Sequence, residues 1–64
     1  MNYGQNIRKI REENGDTQCS LADKLGVRQS MVAQIERGTR TVSMPLAAQI
    51  AEIYNVDIRE LFLA

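Results

Sequence analysis

The segment Ser20–Gly38, SLADKLGVRQSMVAQIERG, decides how this chain folds. Its apolar residues recur at helical spacing on either side of Gly26: Leu21, Ala22 and Leu25 before it, Val32 and Ile35 after it. Strand-like alternation is absent, so the segment reads as two short helices meeting at a turn. Thr17 is a good N-cap for the first of them. Gly26 supplies the positive φ that lets two helices join through a turn of three or four residues. Ala22 must be small where the second helix of the pair crosses the first. Val32 and Ile35, three apart, lay that helix's apolar face on its neighbour. Its opposite face and leading end then point outward, which accounts for its opening with the polar side chains of Arg28, Gln29 and Ser30.

Outward from this pair the helical period continues. Tyr3, Ile7 and Ile10 line one face of a first helix, which Asn2 with Gln5 caps and which stops near Asn14-Gly15. After the polar loop GTRTV, Ser43 caps a fourth helix with Pro45 in its first turn, where a missing N–H does no harm. Its apolar positions are Leu46, Ala47, Ile50, Ala51, Ile53 and Tyr54. Beyond Asn55, Asp57 and Glu60 form a D-x-x-E capping box for a short fifth helix bearing Ile58, Leu61 and Phe62. The sequence therefore predicts an all-α fold. It is a compact five-helix bundle in a single domain, 1–64, with helices near 2–14, 17–25, 28–37, 43–54 and 57–62. No linker, internal repeat or low-complexity tract interrupts it.

Composition narrows the function. A chain of 64 residues buries only about 60% of its unfolded surface, so its stability is expected to be marginal. One cysteine, Cys19, and no histidine exclude an intramolecular disulfide, a Cys/His zinc site and a histidine-based catalytic relay. No metal and no cofactor are expected. Ser20, Ser30, Cys19 and the acids have no base or metal to work with, which argues against an enzyme. No apolar run approaches the ~20 residues that span a bilayer. MNYGQNIRKIREEN lacks the apolar segment of a signal peptide. With a lone thiol, these features predict a cytoplasmic protein without membrane association. Net charge is zero, but residues 17–43 hold Lys24, Arg28, Arg37 and Arg40 against Asp23 and Glu36, a balance of +2, and residues 44–64 a balance of −2. Such a chain can present a positive face to phosphates, although scattered charges give the same count.

The ordered series resembles the Cro and phage-repressor type of helix-turn-helix domain (lambda repressor-like, XRE family). That family's run I-R-x-x-R-E-x-x-G-x-(T/S)-Q-x-x-L-A-x-x-L-G-V is matched by IRKIREENGDTQCSLADKLGV, with one extra offset in the first helix. IERG, an N-V boundary and an ending like D-x-x-E-L-F follow at the family's spacings. The resemblance implies that helices 2 and 3 form the helix-turn-helix and that the third enters the DNA major groove by its N-terminal end. Gln29, Ser30 and Gln34 occupy base-reading positions, and each glutamine can pair its amide with N6 and N7 of adenine. Gln18 matches a residue that holds a backbone phosphate at a helix N-terminus. Arg28, Thr39, Arg40 and Thr41 are placed to touch phosphates. Arg11 and Glu36 match an internal ion pair tying the first helix to the recognition helix. Without the resemblance, Gln29 and Gln34 simply solvate an exposed face. The chain departs from the pattern at Arg28, where Ser or Thr usually caps the third helix, at Ser20, where Glu completes a capping box, and at Val42, often proline. Met31 and Met44 read as core gap-fillers or thymine-methyl contacts, and Cys19 as packing at the edge of the second helix.

The implied function is sequence-specific binding of double-stranded DNA by a transcriptional regulator, a repressor on a near-palindromic operator. Two copies would read half-sites one DNA turn apart, about 34 Å. Leu61, Phe62 and Leu63 of RELFLA exceed what a five-helix core needs, which predicts that some of them form a two-fold contact. On the other reading Phe62 folds back into the core and Leu63 frays. Two other functions use the same fold. An antitoxin would also block a toxin, usually through an added segment that is not seen beyond Ala64, and an interaction module would bind protein and no DNA.

Overall fold

The computed structural model describes residues 3–62. Four α-helices follow one another: α1 (Tyr3–Glu13), α2 (Gln18–Leu25), α3 (Gln29–Arg37) and α4 (Met44–Ile53), and a 3₁₀ helix, Ile58–Leu61, comes last. There is no strand among the described residues. The cap expected at Asn2 and the contact expected at Leu63 lie outside them.

Local chemistry sets the starts of α2 and α4 and the end of α2. The Thr17 hydroxyl accepts from the Ser20 N–H (3.0 Å) and the Ser43 hydroxyl from the Leu46 N–H (3.3 Å), each satisfying one N–H that the helix leaves unpaired. Gly26 closes α2 in the left-handed region (φ 73°), its N–H directed to the Ala22 and Asp23 carbonyls. A side chain there would meet the strain that glycine escapes. The chain then enters α3 at Arg28, extended and with no side-chain cap. The fifth element corrects the expected count of five α-helices. Asp57 and Glu60 do form the reciprocal capping box, but the helix that follows the cap is only four residues long. They close i→i+3 bonds, Glu60 N–H to Asp57 O (2.8 Å) and Phe62 N–H to Arg59 O (3.1 Å). In 3₁₀ geometry residues three apart eclipse, so Ile58 and Leu61 turn to the core together.

The core draws on every element: Ile7 from α1, Leu21 and Ala22 from α2, Val32 and Ile35 from α3, Ala47 and Ile50 from α4, and Leu61. Each large side chain withdrawn from water contributes roughly 1.5–3 kcal/mol. Leu61 is fully buried, so this member of the expected two-fold contact is spent inside the fold. Phe62 is half-buried, its ring tilted against Tyr3 with centroids 6.0 Å apart. Met31 packs against the core, whereas Met44 is 60% exposed, because the inward face of α4 begins at Leu46. Cys19 is exposed. One close helix contact is not advertised by the pattern of apolar residues. A Cβ on Gly4 would lie 2.5 Å from the Ile35 carbonyl oxygen and 2.7 Å from that of Glu36. Only glycine lets α1 lie directly on the backbone of α3.

Candidate nucleic-acid interface

The frame of the site is a buried ion pair between α1 and α3. Arg11 Nε donates to Glu36 Oε2 (2.7 Å) and Nη2 to Oε1 (3.1 Å), while Nη1 donates to the Asp16 carbonyl (2.7 Å). Both residues are buried. The hydrogen bond to Glu36 raises the Arg11 pKa above its usual value, against the opposing effect of burial. Glu36 Oε1 also accepts from Gln18 Nε2 (3.0 Å). A carboxylate only accepts, so it turns the nitrogen of the Gln18 amide inward and the oxygen outward. That oxygen accepts from Gln29 Nε2 at 3.1 Å. Charge at the core thus sets the orientation of an exposed amide at the start of α3.

Gln29 and Ser30 are exposed on the leading turn of α3, and Gln34, one turn beyond Ser30, is half-buried. Val27, Arg28, Ser30, Met31, Gln34 and Arg40 line one shallow groove. The loop after α3 is pinned around it. The N–H and hydroxyl of Thr39 both donate to the Gln34 carbonyl (3.0 and 3.2 Å), the Tyr3 hydroxyl donates to the Arg40 carbonyl (3.1 Å), and Arg40 Nε donates to Gln34 Oε1 (3.0 Å). Arg28, Thr39, Arg40 and Thr41 are all exposed. The fold therefore gathers Gln18 with Gln29, and Gln34 with Thr39 and Arg40, while Phe62 packs against Tyr3, whose hydroxyl holds the Arg40 carbonyl.

A second polar cluster locks the turn before α2. Asp16 Oδ2 accepts from Lys24 Nζ (2.7 Å) and the Tyr54 hydroxyl (2.9 Å), and Oδ1 from the Ser20 hydroxyl (3.2 Å). Lys24 also lies 5.9 Å from the Tyr54 ring centroid. Lys24, then Tyr54, lower the Asp16 pKa; burial, then Asp16, raise that of Tyr54. Sequence reasoning treats Tyr3 and Tyr54 only as apolar positions and passes over Asp16 and Gly4. The available signal is tyrosine at helical core positions, where phenylalanine would fill the same space without a donor. Among the described residues no group of His, Cys, Asp or Glu converges as a metal site requires, and no helix is long and apolar enough to cross a membrane.

Two short helices joined at Gly26, the second with its polar end free, define a motif, and a helix-turn-helix family model matches residues 7–61. The chain belongs to the helix-turn-helix family. An uncharacterized HTH-type transcriptional regulator of Archaeoglobus fulgidus is 40% identical over 57 residues, covering 89% of this chain and 81% of that one. Among solved structures, the restriction-modification controller protein C.AhdI from Aeromonas hydrophila superposes with a TM-score of 0.88 at 36% identity, over 95% of this chain and 92% of that one. SinR, a master regulator for biofilm formation solved in complex with DNA, superposes with a TM-score of 0.87 at 31% identity, over 95% and 98%. This helix-turn-helix protein is thus similar along nearly its whole length to proteins named as regulators.

Proposed function

We propose that this helix-turn-helix protein is a cytoplasmic, sequence-specific double-stranded-DNA-binding regulator of transcription, a repressor that acts as a homodimer on a near-palindromic operator. The observation that carries the reading is the exposed polar end of α3, with Gln29, Ser30 and Gln34 between Arg28 and Arg40. With that end in the major groove, side chains meet base edges while the flanking residues meet phosphates. Gln29 gives one amide N–H to Gln18 and keeps its oxygen and second N–H, the pair that matches N6 and N7 of adenine. Ser30 is short and tolerant of several edges. Gln18, Arg28, Thr39, Arg40 and Thr41 take the phosphates on either side. Arg11, Glu36, Ala22, Gly26, Val32 and Ile35 carry the frame and touch no DNA. Phe62, beside Leu63, is the apolar residue offered to a second copy. The work is binding, with no part for catalysis, metal or cofactor.

Selection of bound sites from random duplex DNA tests this. Paired half-sites about 34 Å apart are expected. A dimer making about 6–8 phosphate contacts should show log K against log salt falling with a slope near −0.9 per contact. No binding to duplex DNA at low salt would overturn the reading. Sedimentation that finds one copy per operator would remove the homodimer from it.

A further inference from the structure

Resting on that reading of α3, we infer that Arg40 is a specificity-determining positioning residue. It holds the oxygen of the Gln34 amide, so that Gln34 presents its two N–H groups to the groove and reads a guanine or thymine oxygen instead of adenine. The argument begins from what each group can do. An arginine Nε–H only donates, and a primary amide donates at nitrogen and accepts at oxygen. A contact of 3.0 Å from Arg40 Nε to Gln34 is a bond in one amide orientation and a clash of two donors in the other. The arginine therefore selects the orientation.

Its own place is fixed from elsewhere in the chain. The Tyr3 hydroxyl, 37 residues away in sequence, holds the Arg40 carbonyl, and Thr39 holds the Gln34 carbonyl through both its N–H and its hydroxyl. The two groove glutamines thus carry opposite constraints. Gln29 has given away a donor and keeps an acceptor–donor pair. Gln34 spends one of the two lone pairs of its oxygen on Arg40, which turns its N–H groups away from that side chain. In the major groove guanine shows O6 and N7 and thymine shows O4, all acceptors, whereas adenine sets an N6–H₂ donor beside N7 and cytosine shows only a donor. Two donors at Gln34 suit guanine or thymine; at adenine one can meet N7 while the other faces the N6–H₂ donor, and cytosine offers only a donor. The remaining N–H groups of Arg40 stay free for a phosphate, so this role adds to backbone contact.

The experiment compares sites selected from random duplex DNA by the wild-type chain and by Arg40→Met, Gln34→Ala and Gln29→Ala. The base pair read by Gln34 is the one whose preference disappears in Gln34→Ala. Every pair holds a guanine or a thymine on one strand, so analogues placed in the selected site show which base is read. At a T·A pair 7-deaza-adenine should leave wild-type binding within about 2-fold, and at a G·C pair 7-deazaguanine should lower it about 10-fold. Arg40→Met should shift the preference at that pair toward an adenine that is read through N6 and N7, so that 7-deaza-adenine now weakens binding about 10-fold, and leave the pair lost in Gln29→Ala unchanged. A purely phosphate-binding arginine would lower affinity for all sequences alike. Wild-type binding lost with 7-deaza-adenine at a selected T·A pair, or unaltered with 7-deazaguanine at a selected G·C pair, overturns the inference, and this outcome needs no variant of Arg40 to fold. So does an unaltered preference in Arg40→Met. Half-sites recovered in either case leave the proposed function intact, whereas absence of any duplex binding by wild type overturns both.

Discussion

Replacing Glu36 by glutamine removes one charge and almost no volume, and the structure makes it a severe change. The carboxylate takes three N–H donors, two from Arg11 and one from Gln18, and the side chains of Arg11 and Glu36 are only 8% and 3% exposed. In Glu36→Gln one oxygen still accepts, but the new amide nitrogen faces a donor, and the Arg11 charge stays buried without its counter-ion. Breaking a buried pair costs about 3–5 kcal/mol; the retained oxygen puts this variant at the lower end, about 3 kcal/mol. A chain of 64 residues has a total stability of roughly 3–10 kcal/mol, so the loss is a large part of the whole. Urea unfolding followed by helical circular dichroism should show a lower midpoint with an unchanged slope. Arg11→Met should be about as damaging, and the double variant Arg11→Met/Glu36→Leu should recover most of the loss, because it leaves no orphaned charge. A cost below about 1 kcal/mol, typical of an exposed pair, or additive losses in the double variant, would refute the reasoning.

Three further substitutions probe other parts of the fold. Gly4→Ala sets a helix-propensity gain of at most about 1 kcal/mol against a methyl driven into two backbone oxygens; overpacking costs about 1–3 kcal/mol, so a net loss is expected, and an unchanged or raised melting temperature would contradict it. Because burial and Asp16 raise the Tyr54 pKa, the folded chain keeps a proton that the unfolded chain releases above about pH 10. The Tyr54 contribution is therefore whole below that pH and declines above it; Tyr54→Phe should flatten the alkaline fall of stability, and identical curves for the two proteins would rule this out. Arg28→Ser supplies the cap that α3 lacks and should stabilise the fold by about 0.5–1 kcal/mol. It should also weaken DNA binding evenly across sequences and reduce the salt slope by about 1, and a changed base preference would show that Arg28 reads bases.

The parts of this protein that were legible in advance are those whose causes lie within a few residues. Thr17 meets Ser20, Ser43 meets Leu46, and Asp57 meets Glu60, each within one helical turn, so the caps could be read directly. The D-x-x-E box announces where the last element starts and says nothing of how tightly it winds. Its four residues settle into 3₁₀ geometry. Leu61 and Phe62 are adjacent and both apolar, and their sequence cannot say which turns inward. That is decided by α1 and α4, which pack on the 3₁₀ helix.

Sequence alone determined the helical period, the glycine turn at Gly26 and the side chains carried by the leading end of α3, because caps, backbone freedom and apolar spacing act locally. Tertiary structure decided what those side chains offer. Gln18 meets Glu36 across 18 residues, Gln29 meets Gln18 across 11, and Arg40 is anchored by Tyr3 across 37. Amide orientation is set by the partner's choice between donating and accepting, and those partners become neighbours only when the helices pack.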